Sequence, residues 1–210
     1  MELTKEFFLR DVETVAKELL GKVLVRKVGD SELQAKIVET ESYFGSDDPA
    51  SRARQNGDLK KTMEMDAGTI LVYGVHNNWM LNFVTGRSEE ARAVLIRAIE
   101  PLNFNSKGNG PGLLTKALKI DKKFHKQNIM DNKEIWIEDI GNKIVNNVVN
   151  IISGNRDSKV GKSRKIIPIT SKINNIPNEF EIGTSYRIGV TKDLDRHLRF
   201  YIKGNKFVSR

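Results

Sequence analysis

The sequence predicts a single mixed α/β domain, in which a small number of helices accompany antiparallel strands. Two kinds of periodicity support this class. Apolar residues recur at helical spacing near the start of the chain, and short alternating strands joined by tight turns follow. The 210 residues fit around one core, and no linker or internal repeat divides them, so residues 1–210 are expected to form one domain.

Residues 12–20 form the first predicted helix, because apolar side chains recur there three and four positions apart. Asp11 can cap the start of this helix and Gly21 can end it. Two strands follow over residues 23–43, around a turn-rich Gly-Asp-Ser sequence at 29–31. Alternation in the second strand places acidic side chains on a face that begins apolar.

The middle of the chain is predicted to contain a long polar connection and a hairpin. Residues 44–67 are polar, contain two glycines and a proline, and are rich in arginine and lysine, which predicts a loop or short helices. Strands over 69–73 and 79–84 are predicted to pair around a turn at 74–78. A further strand is predicted over 94–99, and a proline two residues later ends it.

The last part of the chain has weaker signals. A helix is predicted over 113–118, directly after a Gly-Pro-Gly sequence. Residues 141–180 are rich in asparagine and lysine and show little periodicity. Segments 186–190 and 198–202, followed by a Gly-Asn turn at 204–205 and a last short strand, indicate a terminal β-meander.

The chain is basic, since 35 Lys and Arg side chains against 27 Asp and Glu give a net charge of +8. This surplus makes a polyanion such as nucleic acid the first partner to consider, and charge that serves only solubility is the alternative. Residues 159–165 concentrate four cations in seven positions. Such a run is typical of a nucleic-acid patch or, more often, of a solvated loop.

Composition also excludes several classes of site. Without cysteine the chain has no disulfides, thiolate zinc sites, iron–sulfur clusters or cysteine nucleophile. His76, His125 and His197 are widely scattered, which argues against a histidine-rich metal site. No stretch approaches the ~18 consecutive apolar residues of a membrane span, and the start lacks a signal-peptide pattern. We therefore expect a soluble, cytoplasmic protein.

An acidic pair on the apolar side of one strand is the first chemical anomaly. Glu39 and Glu41 lie about 6.6 Å apart at the strand rise of about 3.3 Å per residue. A buried carboxylate costs free energy unless it is partnered or used, and like charges at this range raise one pKa, as a general base requires. Arg97, inside an apolar strand, could pair with either carboxylate or with a phosphate. The alternative is that both carboxylates simply pair with basic side chains at a sheet edge.

Two tyrosines extend this candidate site. Tyr43 and Tyr73 each stand at the end of a strand, where they could stack on a base or serve only as half-buried packing. The residue pattern alone therefore indicates a basic domain with a candidate carboxylate site.

A series of short segments carries a family resemblance. The segments are Ala16–Lys22, Ile37–Tyr43, Asp48–Ala53, Gly68–Thr69, Asn82, Leu95–Pro101, Gly110–Leu118, Arg187–Val190, Arg199–Ile202, Gly204–Asn205 and Phe207–Arg210. In order and spacing they resemble the alkyladenine, or 3-methyladenine, DNA glycosylases. Each segment is weak alone, whereas their ordered combination over nearly the whole chain is specific. Residues 120–180 match least.

The resemblance implies a fold and an activity. The fold would be a single mixed α/β (α+β) domain, with a curved antiparallel β-sheet flanked by helices and a protruding β-hairpin that enters the DNA minor groove. Such enzymes flip a damaged nucleotide out of the duplex and hydrolyse its N-glycosidic bond, which leaves an abasic site for base excision repair. The implied partner is double-stranded DNA with alkylated or deaminated purines. No cofactor, metal or membrane is implied, and we expect a cytoplasmic monomer, nucleoid-associated if the source is prokaryotic.

The resemblance also assigns site residues by position. Glu41 is similar to the family's water-activating glutamate, and Arg97 to the arginine that helps hold the water. Val190 matches a position whose main-chain carbonyl also contacts that water. Tyr43 and Tyr73 resemble the aromatics that sandwich the flipped base. Asn82 resembles the residue that excludes the 2-amino group of guanine, and Glu39 a structural neighbour.

Two departures from the family pattern concern the base pocket and the hairpin. Arg52 stands where relatives carry histidine in a pocket wall, so its donor is permanently charged and is expected to favour bases with a carbonyl acceptor over cationic ones. The alternatives are that a carboxylate such as Asp47 or Asp48 offsets this charge, or that Arg52 contacts a DNA phosphate instead. The hairpin is shorter than usual and lacks the wedge tyrosine, so either Val75 or His76 fills the gap that the flipped base leaves or the wedge is weakened.

Other DNA contacts are expected from Lys116 and from Lys162, Arg164 and Lys165 of the basic run. The alternative function is a catalytically weak relative that binds damaged DNA without cutting it.

Overall fold

An eight-stranded antiparallel sheet, curled into a half-barrel, dominates the computed structural model, which describes residues 1–139 and 180–209. The strands are β1 (Val23–Val28), β2 (Ser31–Tyr43), β3 (Ile70–Val75), β4 (Asn78–Thr85), β5 (Arg92–Pro101), β6 (Ile135–Glu138), β7 (Ile182–Ser185) and β8 (Arg199–Ile202). The helices are α1 (Lys5–Phe8), α2 (Val12–Leu19), α3 (Asp58–Met63) and α4 (Pro111–Ala117), with 3₁₀ turns at Arg52–Arg54, Lys122–Phe124 and Ile129–Asp131. The predicted mixed α/β (α+β) class with a curved antiparallel sheet is confirmed.

Strand β2 is a central strand of the sheet, in which the order of hydrogen-bonded neighbours is β3-β4-β5-β2-β1-β6. Its first half pairs with β1, its second half pairs with β5, and Glu39–Glu41 also pair with β8 on the side that β1 leaves open. Strands β7 and β8 pair with each other. Because β2 has neighbours along both edges, every residue from Ile37 to Ser42 is buried.

Two compensating bulges interrupt the pairing of β2 with β5. Ile37 lies opposite Ile99, and Glu39 lies opposite Ala98, so Val38 is an extra residue on β2. Thr40 then lies opposite Ile96, which makes Arg97 an extra residue on β5. Bulges re-aim side chains and increase the local twist of a strand. The strict alternation assumed from the sequence is therefore broken beside the acidic pair.

Helix α2 packs on the face of β2 opposite to the acidic pair. The Thr40 hydroxyl donates to the carbonyl of Ala16 at 2.8 Å, and the Ser42 hydroxyl donates to that of Val12 at 3.3 Å. At the start of this helix, the Asp11 carboxylate accepts hydrogen bonds from two backbone amides, as its sequence position predicts. The apolar face of α2 is buried in the main core, so this predicted helix is confirmed.

The β3–β4 hairpin has a tighter turn than the sequence predicted. Strand pairing extends to Val75 and resumes at Asn78, so the turn consists of His76 and Asn77, with φ angles of 45° and 60°. Two consecutive positive φ angles are the signature of a type I′ turn, which matches strand twist. The predicted turn at 74–78 was too long because its outer residues pair across the ladder.

Helix α4 packs against one side of this hairpin. The Thr115 hydroxyl donates to the carbonyl of Trp79 at 3.0 Å. Gly112 lies so close to the hairpin that an added Cβ would be 2.7 Å from the Cβ of Asn78. The helix begins at Pro111, two residues before its predicted start, and a proline suits this first turn.

The predicted terminal β-meander was only partly right. The strand at 199–202 is confirmed, but its partner β7 lies at 182–185, and residues 186–190 have no strand pairing. The reason is that Arg187 bonds to the side chains of Asp48, in the loop after β2, and of Asp193, in its own loop, instead of joining a ladder. Residues 207–208 lie in turns. The polar stretch 44–67 is confirmed as loop with short helices.

None of the helices in residues 1–139 and 180–209 is long and apolar enough to cross a membrane.

We expect Gly112→Ala to destabilise the protein, because the added methyl group meets Asn78 at less than contact distance. Overpacking costs about 1–3 kcal/mol, which outweighs a gain of about 0.5–1 kcal/mol from replacing a glycine inside a helix. Gly74→Ala is the matched control, because its Cβ would lie 3.6 Å from Trp79, an ordinary contact. Thermal unfolding should show a lower Tm for Gly112→Ala alone; equal Tm values would mean that the hairpin shifts without cost.

Candidate active site

A cleft of about 810 Å³ opens beside the second half of β2. Its walls come from the loop after β2, the β3–β4 hairpin, the start of α4 and residues 188–192. Four cationic side chains, Arg52, Arg54, Arg97 and Lys192, line the cleft, and the described lining residues include no carboxylate. A concave surface with one sign of charge focuses its field on ligands of opposite charge.

Glu41 lies beneath the floor of the cleft, because its three contacting groups all line that floor. The amide of Ile188 donates to Oε1 at 2.9 Å, and the Tyr43 hydroxyl donates to Oε2 at 2.8 Å. The nearest guanidinium nitrogen of Arg97 is 3.4 Å from Oε1. Burial raises the pKa of Glu41, and Arg97 with the two hydrogen bonds offsets that effect only in part.

Glu39 is also fully buried, but its surroundings are different. It accepts hydrogen bonds from Arg199 at 2.6 Å and from the amide and hydroxyl of Ser209 at 2.6 and 2.8 Å. Arg97 contacts the same carboxylate through Nε at 3.1 Å and so bridges Glu39 and Glu41. The acidic pair therefore divides into one carboxylate saturated by structural partners and one next to the cleft.

Tyr43 and Tyr73 both line the cleft, and each ring has a guanidinium next to it. The Arg187 guanidinium carbon is 4.5 Å from the centroid of the Tyr43 ring, and that of Arg52 is 5.2 Å from the Tyr73 centroid. Burial raises the pKa of both phenols, so both tyrosines stay protonated at neutral pH.

Arg187 is the centre of a second buried ion cluster. Its guanidinium binds both oxygens of Asp48 at 2.7 Å and an oxygen of Asp193 at 2.9 Å. Burial alone would raise the pKa of Asp48, but the hydrogen bonds from Arg187 and from two backbone amides lower it. The cluster joins the loop after β2 to the loop at 187–193, which together form two walls of the cleft.

The structure brings most of the predicted site residues together. Arg52, Val75, His76 and Val190 all line the cleft, as do Tyr43, Tyr73 and Arg97. Among them His76 is exposed at the hairpin tip.

The other predicted residues either do not line the cleft or lie outside the described residues. Asn82 is buried in β4, where its amide donates to the carbonyl of Leu71 at 3.1 Å, and it is not among the described lining residues. Lys116 is exposed on α4, also outside the lining. Lys162, Arg164 and Lys165 lie outside the described residues, as does the whole basic run.

The pairing of Arg97 with Glu39 and Glu41, which the sequence suggested, is confirmed, but sequence reasoning missed the other partners of the buried charges. Arg199 stands in an apolar strand, which is the same signal that drew attention to Arg97, and it could have been found in that way. The pairing of Arg187 with Asp48 joins residues 139 positions apart, and that of Ser209 with Glu39 joins residues 170 apart. No local pattern reveals contacts over such separations.

The described residues contain no group of three or more His, Asp or Glu side chains that could hold a metal ion.

Comparison with known proteins finds similarity over the whole chain. A family model described as methylpurine-DNA glycosylase (MPG) matches residues 6–165. A relative from Aeropyrum pernix is 35% identical over 213 residues, which cover 99% of this chain and 93% of the relative. Relatives from Borrelia garinii subsp. bavariensis and Clostridium perfringens are 33% and 35% identical over 222 and 237 residues, with at least 99% of each chain covered. All three have the provisional name 3-methyladenine DNA glycosylase.

The two carboxylates should respond differently to neutralisation. Glu39→Gln leaves the largely buried guanidinium of Arg199 without its anion and removes one of the two anions of Arg97, and breaking such a buried pair costs about 3–5 kcal/mol. Glu41 has a raised pKa, so the folded protein binds its proton more tightly than the unfolded chain does, and its ionised form lowers stability near pH 7. We therefore expect Glu41→Gln to keep or raise the free energy of unfolding, as measured with urea at pH 7. A loss for Glu41→Gln as large as that for Glu39→Gln would show that both carboxylates are structural.

Proposed function

The chain belongs to the methylpurine-DNA glycosylase family, and we propose that it is a monofunctional glycosylase that removes alkylated or deaminated purines from duplex DNA. The proposed reaction is hydrolysis of the N-glycosidic bond of a flipped nucleotide, which leaves an intact abasic site. The observation that carries this proposal is Glu41, a buried carboxylate with a raised pKa beneath a cleft lined by cations.

Glu41 is suited to act as the general base. Its two oxygens can accept about four hydrogen bonds, and its described contacts leave capacity for a water molecule. In the proposed step, Glu41 takes a proton from that water while the water oxygen forms a bond to C1′ of the sugar. The electron pair of the C1′–N bond leaves with the base. Arg97 and the main-chain carbonyl of Val190 are proposed to hold the water.

The base is proposed to bind between Tyr43 and Tyr73. Aromatic faces stack on any base, at about 1–3 kcal/mol per base, so such a site accepts several damaged purines. Exclusion of normal guanine by Asn82 stays a prediction, and it would have to involve Oδ1 because Nδ2 donates to the Leu71 carbonyl.

DNA is proposed to lie across the cationic rim of the cleft, with the hairpin in the minor groove. The type I′ turn presents His76 at the tip and Val75 beside it, which supports their proposed use as a wedge in place of a tyrosine. Arg54 and Lys192 are exposed at the same rim and are suited to phosphate contacts. Lys116 is a more distant candidate.

A protein that only bound damaged DNA would not need a buried carboxylate placed as a general base beside the cleft. The contact of Arg97 with Glu41 therefore favours the enzyme. The direct test is incubation with a duplex that contains one hypoxanthine, followed by detection of the released base and of abasic sites. Release of the base with an uncut strand is expected, whereas binding without release would contradict the proposed function.

Glu41→Gln should abolish base release while it keeps affinity for the damaged duplex, because an amide cannot take the proton from water. Single-turnover rates and binding of the same duplex would be measured together. Glu39→Gln is the matched control, assayed at a temperature at which it is folded, and it should keep most of the rate. A Glu41→Gln rate near that of the wild type would refute the assigned role.

The rate of base release should also fall as the pH is lowered into the acid range. A general base works only when ionised, and burial raises the pKa of Glu41 above its ordinary 4.5, so the loss should begin above the range of an exposed glutamate. Arg97 lowers that pKa, so Arg97→Gln should move the acid limb to higher pH, and Arg97→Lys should restore it in part. If the wild type, Arg97→Gln and Arg97→Lys all have the same acid limb, Arg97 does not influence the pKa of the base that titrates.

A further inference from the structure

We propose that Arg52, whose guanidinium lies 5.2 Å from the centroid of the Tyr73 ring and has no ion-pair partner among the described residues, makes this base pocket selective for neutral purines with a 6-oxo acceptor over cationic N-alkylated purines. This inference rests on the proposed function and adds a substrate class to it.

The two guanidinium groups next to the pocket tyrosines differ in whether described carboxylates neutralise their positive charge. Arg187, on Tyr43, is buried between the carboxylates of Asp48 and Asp193, so its charge is more than balanced. Arg52, on Tyr73, has no carboxylate within ion-pair distance among the described residues. The charge of Arg52 therefore acts on whatever enters the cleft.

Nearby carboxylates are not available to offset Arg52. Asp48 lies in the loop after β2, four residues before Arg52, but both of its carboxylate oxygens are bound by Arg187. Asp47 is exposed and does not line the cleft. Glu41 lies beneath the floor and is paired with Arg97.

The position of Arg52 also affects stacking on Tyr73. A cationic base is attracted to a tyrosine face by the ring quadrupole, but here a guanidinium already lies against that ring. A second cation would meet repulsion from the first. A neutral 6-oxo purine stacks without this penalty and offers its carbonyl oxygen to a side chain that has only donors.

The same charge acts on the transition state. When a neutral purine leaves, negative charge develops on the base, and a guanidinium stabilises it. When a cationic purine leaves, its charge falls from positive towards zero, so the base is still repelled until the bond has broken. The discrimination should therefore appear in kcat/KM, which compares the transition state with free enzyme and free DNA.

The experiment uses two duplexes of the same sequence, one with hypoxanthine and one with 3-methyladenine at the same position. Neither base has a 2-amino group, so the proposed exclusion of guanine does not affect the comparison of the two substrates. Each kcat/KM is divided by the spontaneous rate of base loss from that duplex, because cationic bases leave faster without an enzyme. The wild type should give the larger normalised value for hypoxanthine.

Arg52→Gln should shift the ratio of normalised values towards 3-methyladenine by about tenfold, an effect expected from one unit charge at short range in a partly buried site. Arg52→Lys keeps the charge and should keep most of the preference. Arg54→Gln is the matched control, since Arg54 lies in the same 3₁₀ turn, lines the same cleft and is exposed. It should lower both values alike.

Three results would overturn the inference. A wild-type preference for 3-methyladenine would do so, as would an unchanged ratio in Arg52→Gln with weaker binding of both duplexes, which would make Arg52 a phosphate contact. An equal shift in Arg54→Gln would assign the effect to overall charge. Failure of the wild type to release either base would instead contradict the proposed function itself.

Discussion

Two carboxylates buried two residues apart on one strand are the constraint on which the rest of this structure depends. Glu39 and Glu41 are both fully buried, and an unpaired buried charge costs several kcal/mol, so each must find cationic or N–H partners. Those partners come from β5, from β8, from the loop at Ile188 and from Ser209. Satisfying the acidic pair thus draws distant parts of the chain to one point, and the paired bulges beside it place Arg97 between the two carboxylates.

The same constraint gives the two carboxylates different surroundings. Glu39 accepts from two side chains and a backbone amide, all of which hold the end of the chain against the sheet. Glu41, with fewer partners than Glu39 among the described residues, lies next to the cleft. The second ion cluster, around Arg187, fixes the two loops that form the walls and supports Tyr43 from behind. Buried charge therefore shapes both the floor and the walls of the site.

Local sequence patterns were sufficient for the elements that depend on local physics. The capped helix α2, the acidic strand β2 and the β3–β4 hairpin could all be predicted, because periodicity and turn residues determine them. The length of the hairpin turn and the position of β7 could not, because pairing across a ladder decides them. Arg97 and Glu41 were recognisable as polar residues in apolar strands. The partners of Glu39 and Asp48 were not, because they lie more than a hundred residues away.

The central claim, that Glu41 is a base poised by burial and Glu39 is a structural anion, can be tested by titration without substrate. The carboxyl carbons of both residues would be followed by ¹³C NMR as the pH is lowered, with Glu41→Gln and Glu39→Gln used to assign the two signals. The account predicts a midpoint for Glu41 above its ordinary pKa of 4.5, since burial outweighs the effect of Arg97. A midpoint at or below 4.5 would mean that Arg97, Ile188 and Tyr43 outweigh burial, and it would contradict the assignment of Glu41 as the base.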